Sequence, residues 1–464
     1  MTYKLGALLA ALLLAPPAMA AEPSAKPATG LSLAQAVDYA DANYASVKAA
    51  LEERTAADRN VDVARAAYLP QVNLLYQVNR ATVNNITGVL LPQGVIPSIS
   101  GPVLPSSGKT DWNTGAGVLL DWKALDFGVR GAHVAAAREA ATAARDAYEL
   151  TRIDVVAATT DAYLNVLAAQ ALTAAAQADV DRLREFQSAV HVLLSNRLRA
   201  GVDAEQADAA ESLGEARLAG AQANLETQRA ILARLVRRPA RELTLDDPRL
   251  GEPPLGVPAG AVRPIEDHPA ARQALARARQ QDAELKAVGR SYAPQVDVLA
   301  SASERGGGKT AAGAFLHGDA GLDPDTRNWA VGVQVTLPIG SYPALHAQQG
   351  AQRAAAAAAR DRYEQTLGDL GARLAQAQAE LKAAQTVAKL APAALEAARA
   401  AETQQRARYK SGLASAVDMT AAEAALSQAE AQDAVARLNV WRAWAAFGAA
   451  AGDLGPFRAM IGPR

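Results

Sequence analysis

The chain has 464 residues, with 47 basic and 48 acidic side chains, five histidines and no cysteine. A net charge of −1 provides no basic surface for nucleic acid, so no nucleic-acid partner is expected. The lack of cysteine excludes disulfides, thiolate metal sites, cysteine nucleophiles and lipid attachment at a cysteine.

At the N-terminus Lys4 precedes an apolar run from Leu5 to Leu14, and Ala18-Met19-Ala20 follows. This is the pattern of a secretory signal peptide, with cleavage expected after Ala20. The run is too short to cross a bilayer as a helix. The mature chain is expected to leave the cytoplasm, and any membrane insertion falls to strands.

Leu31 to Leu69 contains no Gly or Pro and reads as helix. Gln71 to Asn79 then alternates, with Val72, Leu74, Tyr76 and Val78 on one face. A long loop from Arg80 to Asp111 leads to a second alternating segment. There Trp112, Thr114, Ala116, Val118, Leu120 and Trp122 share a face. From Ala132 to Ala200 there is again no Gly or Pro, which predicts a helix roughly 100 Å long. Gly201 is expected to break it, with a second helix over 203–238. Pro239 to Pro269 is rich in Pro and Gly and links to a second half of the same plan.

In that half, Val296, Val298, Ala300 and Ala302 share one strand face, and Trp329, Val331, Val333, Val335 and Leu337 another. A long helix runs from about Ala344 to Ser411, with Gly350, Gly368, Gly371 and Pro392 inside it. Pro392 is expected to kink it. Gly412 breaks it, and a helix over 415–448 follows. The strands are expected at about 70–80, 112–123, 294–303 and 329–338.

The halves match in sequence. Arg145-Asp146-Ala147-Tyr148-Glu149-Leu150-Thr151 reappears as Arg360-Asp361-Arg362-Tyr363-Glu364-Gln365-Thr366, 215 positions later. Tyr68-Leu69-Pro70-Gln71-Val72 reappears as Tyr292-Ala293-Pro294-Gln295-Val296, and Arg197-Leu198-x-x-Gly201 as Arg408-Tyr409-x-x-Gly412. The order predicts a tandem duplication: signal peptide 1–20, first repeat 21–238, linker 239–269, second repeat 270–452 and a tail 453–464. The fold class is mostly α with a small β part. Helices this long need coiled-coil partners.

The alternating segments fit a half-buried soluble sheet or outer-membrane barrel strands. Trp112 and Trp122 lie on one face about 23 Å apart along a membrane normal, for a tilt of roughly 45°. With the signal peptide, this favours the barrel. Trp112, Trp122, Trp329 and Tyr76 are then the membrane-interface aromatics, in contact with outer-membrane lipid. Four strands cannot close a barrel, because the smallest have about eight and an open edge is not tolerated in lipid. Three copies would give twelve strands and a lumen; two would give a barrel filled by its own side chains.

At this point the chain resembles the TolC-type outer-membrane efflux proteins. The resemblance rests on Leu31-Ser32-Leu33-Ala34-Gln35-Ala36, on the Tyr-x-Pro-Gln strand entries, and on Trp122-Lys123-Ala124-Leu125-Asp126-Phe127-Gly128. The tip Arg408-Tyr409-Lys410-Ser411-Gly412-Leu413-Ala414-Ser415-Ala416-Val417-Asp418 carries it most strongly. It implies a homotrimer with a shared twelve-stranded barrel and a long α-helical tunnel across the periplasm. It further implies a periplasmic adaptor docked at the tips and an inner-membrane pump that supplies the energy. The helix-turn tips expected to dock are Arg197 and Gly201, and Gly412, Leu413, Ala414 and Ser415.

The resemblance also implies a gate at the tips. Tyr409 matches the family's gate tyrosine and Asp418 its constriction aspartate; a helix N-terminal acid favoured by the dipole is the other reading of Asp418. Arg408 adjoins them. The family's gate arginine is Ala414 here, and its second ring acid is Ala421. In the first half the matching position is Ala207, with Asp208 beside it, and Asp203 and Glu205 add acid.

Other constellations carry no chemistry. Gly308-Lys309-Thr310 and Gly108-Lys109-Thr110 lack the first glycine of a phosphate loop, with Ser303 and Val103 in its place. His133, His191, His268, His317 and His346 have no metal-site spacing, and Asp319, Asp323 and Asp325 read as a solvated loop. No catalytic residues, metal or cofactor are expected. A soluble periplasmic coiled-coil adaptor is the alternative to the channel, and the cargo is open.

Overall fold

The computed structural model describes residues 30–82, 110–197, 200–252, 254, 263–307 and 318–462. The expected signal peptide, residues 108–109 and 308–310 of the phosphate-loop-like segments, and His317 lie outside them.

The first repeat holds α1 (Leu33–Asn43), α2 (Ala45–Ala66), β1 (Gln71–Thr82), β2 (Thr110–Leu125), α3 (Val129–Ser195) and α4 (Gly201–Val236). The second holds α5 (Pro269–Arg290), β3 (Gln295–Gly307), β4 (Thr326–Thr336), α6 (Tyr342–Lys410) and α7 (Ala416–Ala450), and α8 (Gly455–Ile461) follows. Each repeat is therefore a helical lead, a strand pair, one very long helix and a half-length return helix.

Local chemistry sets several boundaries. Ser32 caps α1 through a box with Gln35, satisfying two of the orphan N–H groups. Asp126 begins α3. Its carboxylate accepts from the Gly128 and Arg130 backbone N–H groups at 3.0 and 2.8 Å, and from Arg130 Nε at 2.8 Å. Arg130 also donates to the Ala67 carbonyl and stacks on Tyr68, which ties the start of α3 to the end of α2.

Two expectations need correction. The single helix expected over Leu31–Leu69 is two, because Tyr44 is extended at φ −67°, ψ 140°. Its ring packs on the central core. Pro392 lies inside α6, which is helical from Tyr342 to Lys410. The expected tail is structured: Phe457 and Ile461 of α8 are buried in the core.

The strands form one antiparallel sheet in the order β1-β2-β3-β4. They extend two to four residues beyond the expected ends at the loop side, while at the helical side β2 runs two residues further and β4 stops two residues short. Beyond the sheet, the helices continue as a layer. Nearer the sheet, α2 packs on α3, α3 on α5, and α5 on α6. Beyond the middle, α4 packs on α3, α3 on α7, and α7 on α6. So α3 and α6 run the full length, and shorter helices flank them in both halves. One edge of the layer is β1, α2 and α4; the other is β4 and α6.

The main core is a belt around the middle. It gathers Leu33, Val37, Tyr163, Leu232, Leu381, Trp441, Trp444, Phe447 and Phe457 from both repeats and from the chain ends. Leu31 bridges Leu245 of the linker, and Tyr163 donates to the Leu31 carbonyl at 2.6 Å. Asp41 holds both Arg152 and Arg458 at 2.9 Å. The linker and termini thereby clasp the helices where the half-length helices end.

Candidate gate and membrane belt

At the tips, α3 and α4 join through residues 196–200, and α6 and α7 through 411–415. Both turns have five residues, and among the described residues each has a left-handed residue at the same place. In the second turn this is Gly412 at φ 75°, in the first Arg197 at φ 58°. Gly201, expected as the break, is instead the first helical residue of α4, and the motif match of Gly201 to Gly412 does not survive in the structure. A constant step of 215 relates Arg145–Asp203 to Arg360–Asp418, and it carries the end of α3 and the start of α4 onto the end of α6 and the start of α7. The first-half counterpart of Asp418 is therefore Asp203, in the first turn of α4, rather than Asp208.

Asp418 is exposed and closes a capping box. Its carboxylate accepts from the Ser415 N–H at 2.9 Å and hydroxyl at 2.8 Å, and its own N–H donates to the Ser415 hydroxyl. Those bonds hold its carboxyl below the usual range. Tyr409 is buried, its ring edge-on to Phe186 at 5.1 Å. They sit in a cluster with Val190, Ala204, Ala207, Ala416 and Met419, drawn from all four tip helices. Arg408, Arg197 and Glu205 are exposed, as are Gly412, Leu413 and Ser415, whereas Asp203 and Ala414 are half-buried.

Above the cluster lies an ionic layer that sequence reading missed. Glu423 of α7 is fully buried. It accepts from Arg182 Nε of α3 at 3.0 Å and from an Arg406 guanidinium nitrogen of α6 at 2.8 Å. Arg182 reaches Glu430 at 3.1 Å, and Arg406 reaches Glu402 at 2.6 Å. Burial, then the nearby Glu402 carboxylate, push the Glu423 carboxyl up, against the pull of the two arginines. The first repeat carries the counterpart. Asp208 accepts from Gln187 at 2.9 Å and from His191 Nε2 at 2.8 Å. These bonds draw its carboxyl down. The pairs are 241 and 17 residues apart in sequence, respectively across and within the hairpins. No sequence motif marks the first.

At the other end, the sheet separates two surfaces. Paired rows put Leu74, Val118, Ala302 and Trp329 together, and Val72, Leu120, Ala300 and Val331 in the next row. A bulge between Lys123 and Leu125 returns Leu125 to this side, beside Val296 and Val335. Most large side chains here are exposed, Leu74 by 81% and Trp329 by 80%. The row of Tyr76 ends in the Glu304–Arg327 ion pair, which bounds the apolar belt. Arg80 stacks over Trp112 at 5.6 Å, and Trp122 Nε1 donates to the Tyr68 carbonyl at 3.0 Å. The opposite face carries Asp121, Lys123, Asp297 and Gln334 among Gly117, Ser301 and Gly332. Among the described residues no group of His, Asp and Glu could hold a metal ion.

An exposed apolar belt, an opposite face on which polar and small residues outnumber Leu75, Leu119 and Leu299, and helices reaching far from the sheet define a membrane channel with a long extension. The chain belongs to the outer membrane efflux protein family, whose sequence pattern matches residues 36–236 and 263–453, one segment in each repeat. A search of curated proteins finds no match. Several solved structures share the fold. A membrane protein from Pseudomonas aeruginosa has 20% identity and a TM-score of 0.75, over 91% of this chain and 90% of that one. The VceC outer-membrane protein of Vibrio cholerae has 18% identity and a TM-score of 0.73, over 91% and 96%. The MtrE outer-membrane channel of Neisseria gonorrhoeae has 20% identity and a TM-score of 0.71, over 91% and 89%. The protein is an outer-membrane efflux channel of a Gram-negative bacterium, with a periplasmic helical extension. Members of its family are channels rather than enzymes.

Proposed function

We propose that three copies form one conduit, docked through the helix tips on a periplasmic adaptor coupled to an inner-membrane pump. The observation that carries the reading is the pair of open sheet edges, β1 and β4, beside an exposed apolar face. An open edge in lipid leaves backbone groups unpaired. β1 and β4 run in opposite directions, so β1 of one copy can add antiparallel to β4 of the next and close twelve strands. The small and polar inward face then lines the lumen. Trp112, Trp122, Trp329 and Tyr76 meet the lipid interface, Trp122 at the sheet's helical end and Trp112 at its loop end.

The repeats span 21–238 and 270–452, joined by 239–269. At the tips, three Asp418 carboxylates ring the narrowest point, with Asp203 as their repeat counterpart. Tyr409 braces the ring from inside the cluster, and Arg408 lies nearby. Asp208, paired with His191 and Gln187, and exposed Glu205 add acid. Arg197, Gly201, Gly412, Leu413, Ala414 and Ser415 form the docking tips.

The test is the protein mass of detergent-extracted mature protein, corrected for bound detergent. Three protomers support the closed barrel; a detergent-free, water-soluble monomer overturns it. Asp418→Asn is expected to lower cation selectivity in planar bilayers with the trimer intact. Unchanged selectivity would leave Asp418 as a helix cap alone.

A further inference from the structure

The free face of α2 has a counterpart inside the copy, on α5. The two helices each have 22 residues, and a step of 224 carries Ala45–Ala66 onto Pro269–Arg290. The step of 215 carries α3 onto α6. One ion pair checks both steps: Asp58–Arg145 joins α2 to α3, and its image, Asp282–Arg360, joins α5 to α6. Inside the copy α5 also packs on α3. The image of that seam is α2 against α6, and within one copy these two helices lie at opposite edges of the layer.

The inner seam is tied at both ends. Arg272 of α5 donates to the buried Asp146 carboxylate of α3 at 2.8 Å. Arg290 donates to the Gly128 carbonyl at 2.9 Å. On the same helix face Ala276, Ala283 and Ala287 are buried. In the order Arg272, Ala276, Ala283, Ala287, Arg290, the images on α2 are Lys48, Glu52, Arg59, Val63 and Ala66, and all five are exposed. The image of Asp146 is Asp361, which is also exposed. Among the described residues neither Lys48 nor Asp361 is in an ion pair. The two free edges therefore carry opposite, unpaired charges at the positions that bond in the inner seam. Glu52 and Arg59, in place of buried alanines, suit a face that stands in water until a second copy covers it.

We propose that the exposed face of α2 seats on α6 of the next copy, in the register set by Lys48 of one copy paired with Asp361 of the other. This rests on the three-copy channel proposed above. The tie at Arg290 has no counterpart between copies, because Ala66 has no side-chain donor, which leaves the register to Lys48 and Asp361.

The test places cysteine pairs in the full mature protein, which otherwise has no cysteine. Lys48→Cys with Asp361→Cys, treated with a short thiol-specific cross-linker, should give covalent species of two and three protomers. The two positions lie at opposite edges of one copy, so a link between them joins two copies. Lys48→Cys with Ala347→Cys should give none, because Ala347 lies about 21 Å from Asp361 along α6. Charge supplies the second readout. Lys48→Asp or Asp361→Lys alone sets like charges together at three seams. Each should raise the dissociated fraction in warm detergent about tenfold, equivalent to about 1.4 kcal/mol over the ring. Combining them, Lys48→Asp with Asp361→Lys, should restore the trimer. Trimers in which positions 48 and 361 link no better than 48 and 347 would overturn the seam. Single reversals without effect, or a combination that fails to rescue them, would overturn the pairing. Failure of the unaltered protein to trimerise would instead overturn the channel assembly on which the seam rests.

Discussion

Arg197 holds a left-handed backbone that Gly412 holds in the matching turn. Glycine adopts that region freely, whereas a side chain there costs on the order of 1 kcal/mol. Arg197→Gly is therefore expected to raise stability by about that much, and Gly412→Ala to lower it similarly. Thermal unfolding of the detergent-solubilised protein reads both, and equal melting for all three would remove the strain argument. The sequence points to Gly412 correctly but to Gly201 wrongly. A glycine four residues past the left-handed position mimics a break, and nothing in the Arg197 side chain announces a left-handed backbone.

His268 offers a second test at this scale. It is buried and starts α5, its Nδ1 accepting from the Ala270 N–H at 3.0 Å. Nε2 faces the Ala449 carbonyl at 3.4 Å. The ring must be neutral to do both. Burial, then Arg272 and Arg373, lower its pKa below the ordinary 6.5, while the Ala449 carbonyl and Asp154 pull the other way. Between the folded and unfolded values the unfolded chain holds more protons. The stabilisation is thus complete above pH 6.5 and is lost as pH falls through the folded value. His268→Asn keeps a capping oxygen. It should flatten the decline in melting temperature between about pH 7 and pH 5. An equally steep decline in the variant would assign the effect elsewhere.

Among the elements, the long helices were the most legible part of the chain. Alanine-rich segments without Gly or Pro have few alternatives, and the duplication located both hairpins. The break at Tyr44 was not legible, because no Gly or Pro causes it and core contact at the ring fixes the bend. The ionic layer was not legible either, since Arg182 and Glu423 meet only when two hairpins pack. Its weight is testable. Glu423→Ala leaves Arg182 and Arg406 facing each other without their shared carboxylate, a loss expected to cost about 3 kcal/mol. Arg182→Ala leaves Glu423 with Arg406 and should cost less. If denaturant unfolding ranks them the other way, Arg182 contributes through packing rather than charge.

For the molecule as a whole, the sheet face decides what the membrane sees. Val333 lies in the outward row with Trp122 and Val298, whereas Gly332 looks inward with Asp121 and Leu299. Val333→Arg places a charge against lipid, at a cost that reaches about 2–4 kcal/mol at the midplane and falls toward the interface where Trp122 sits. It should reduce the yield of folded protein in outer membranes. Gly332→Arg should leave that yield largely intact and narrow the pore. Equal yields would mean that the faces are assigned the wrong way round. The alternation of apolar residues made this face legible from sequence; the bulge that turns Leu125 outward was not, because alternation alone cannot count an inserted residue.

The equal turns and the constant spacing between repeats also make the protein a ruler read twice. α3 has 67 residues and α6 has 69, and both run from the sheet to the same tip. At about 1.5 Å per residue, seven residues inserted into one of them would push its turn some 10 Å beyond the other. An adaptor would then meet a crown with every second point too tall. Any change in reach must therefore be written into both halves of the gene at once, in steps that keep the same helix faces turned inward. The duplication has bound the two halves of the chain to a common length.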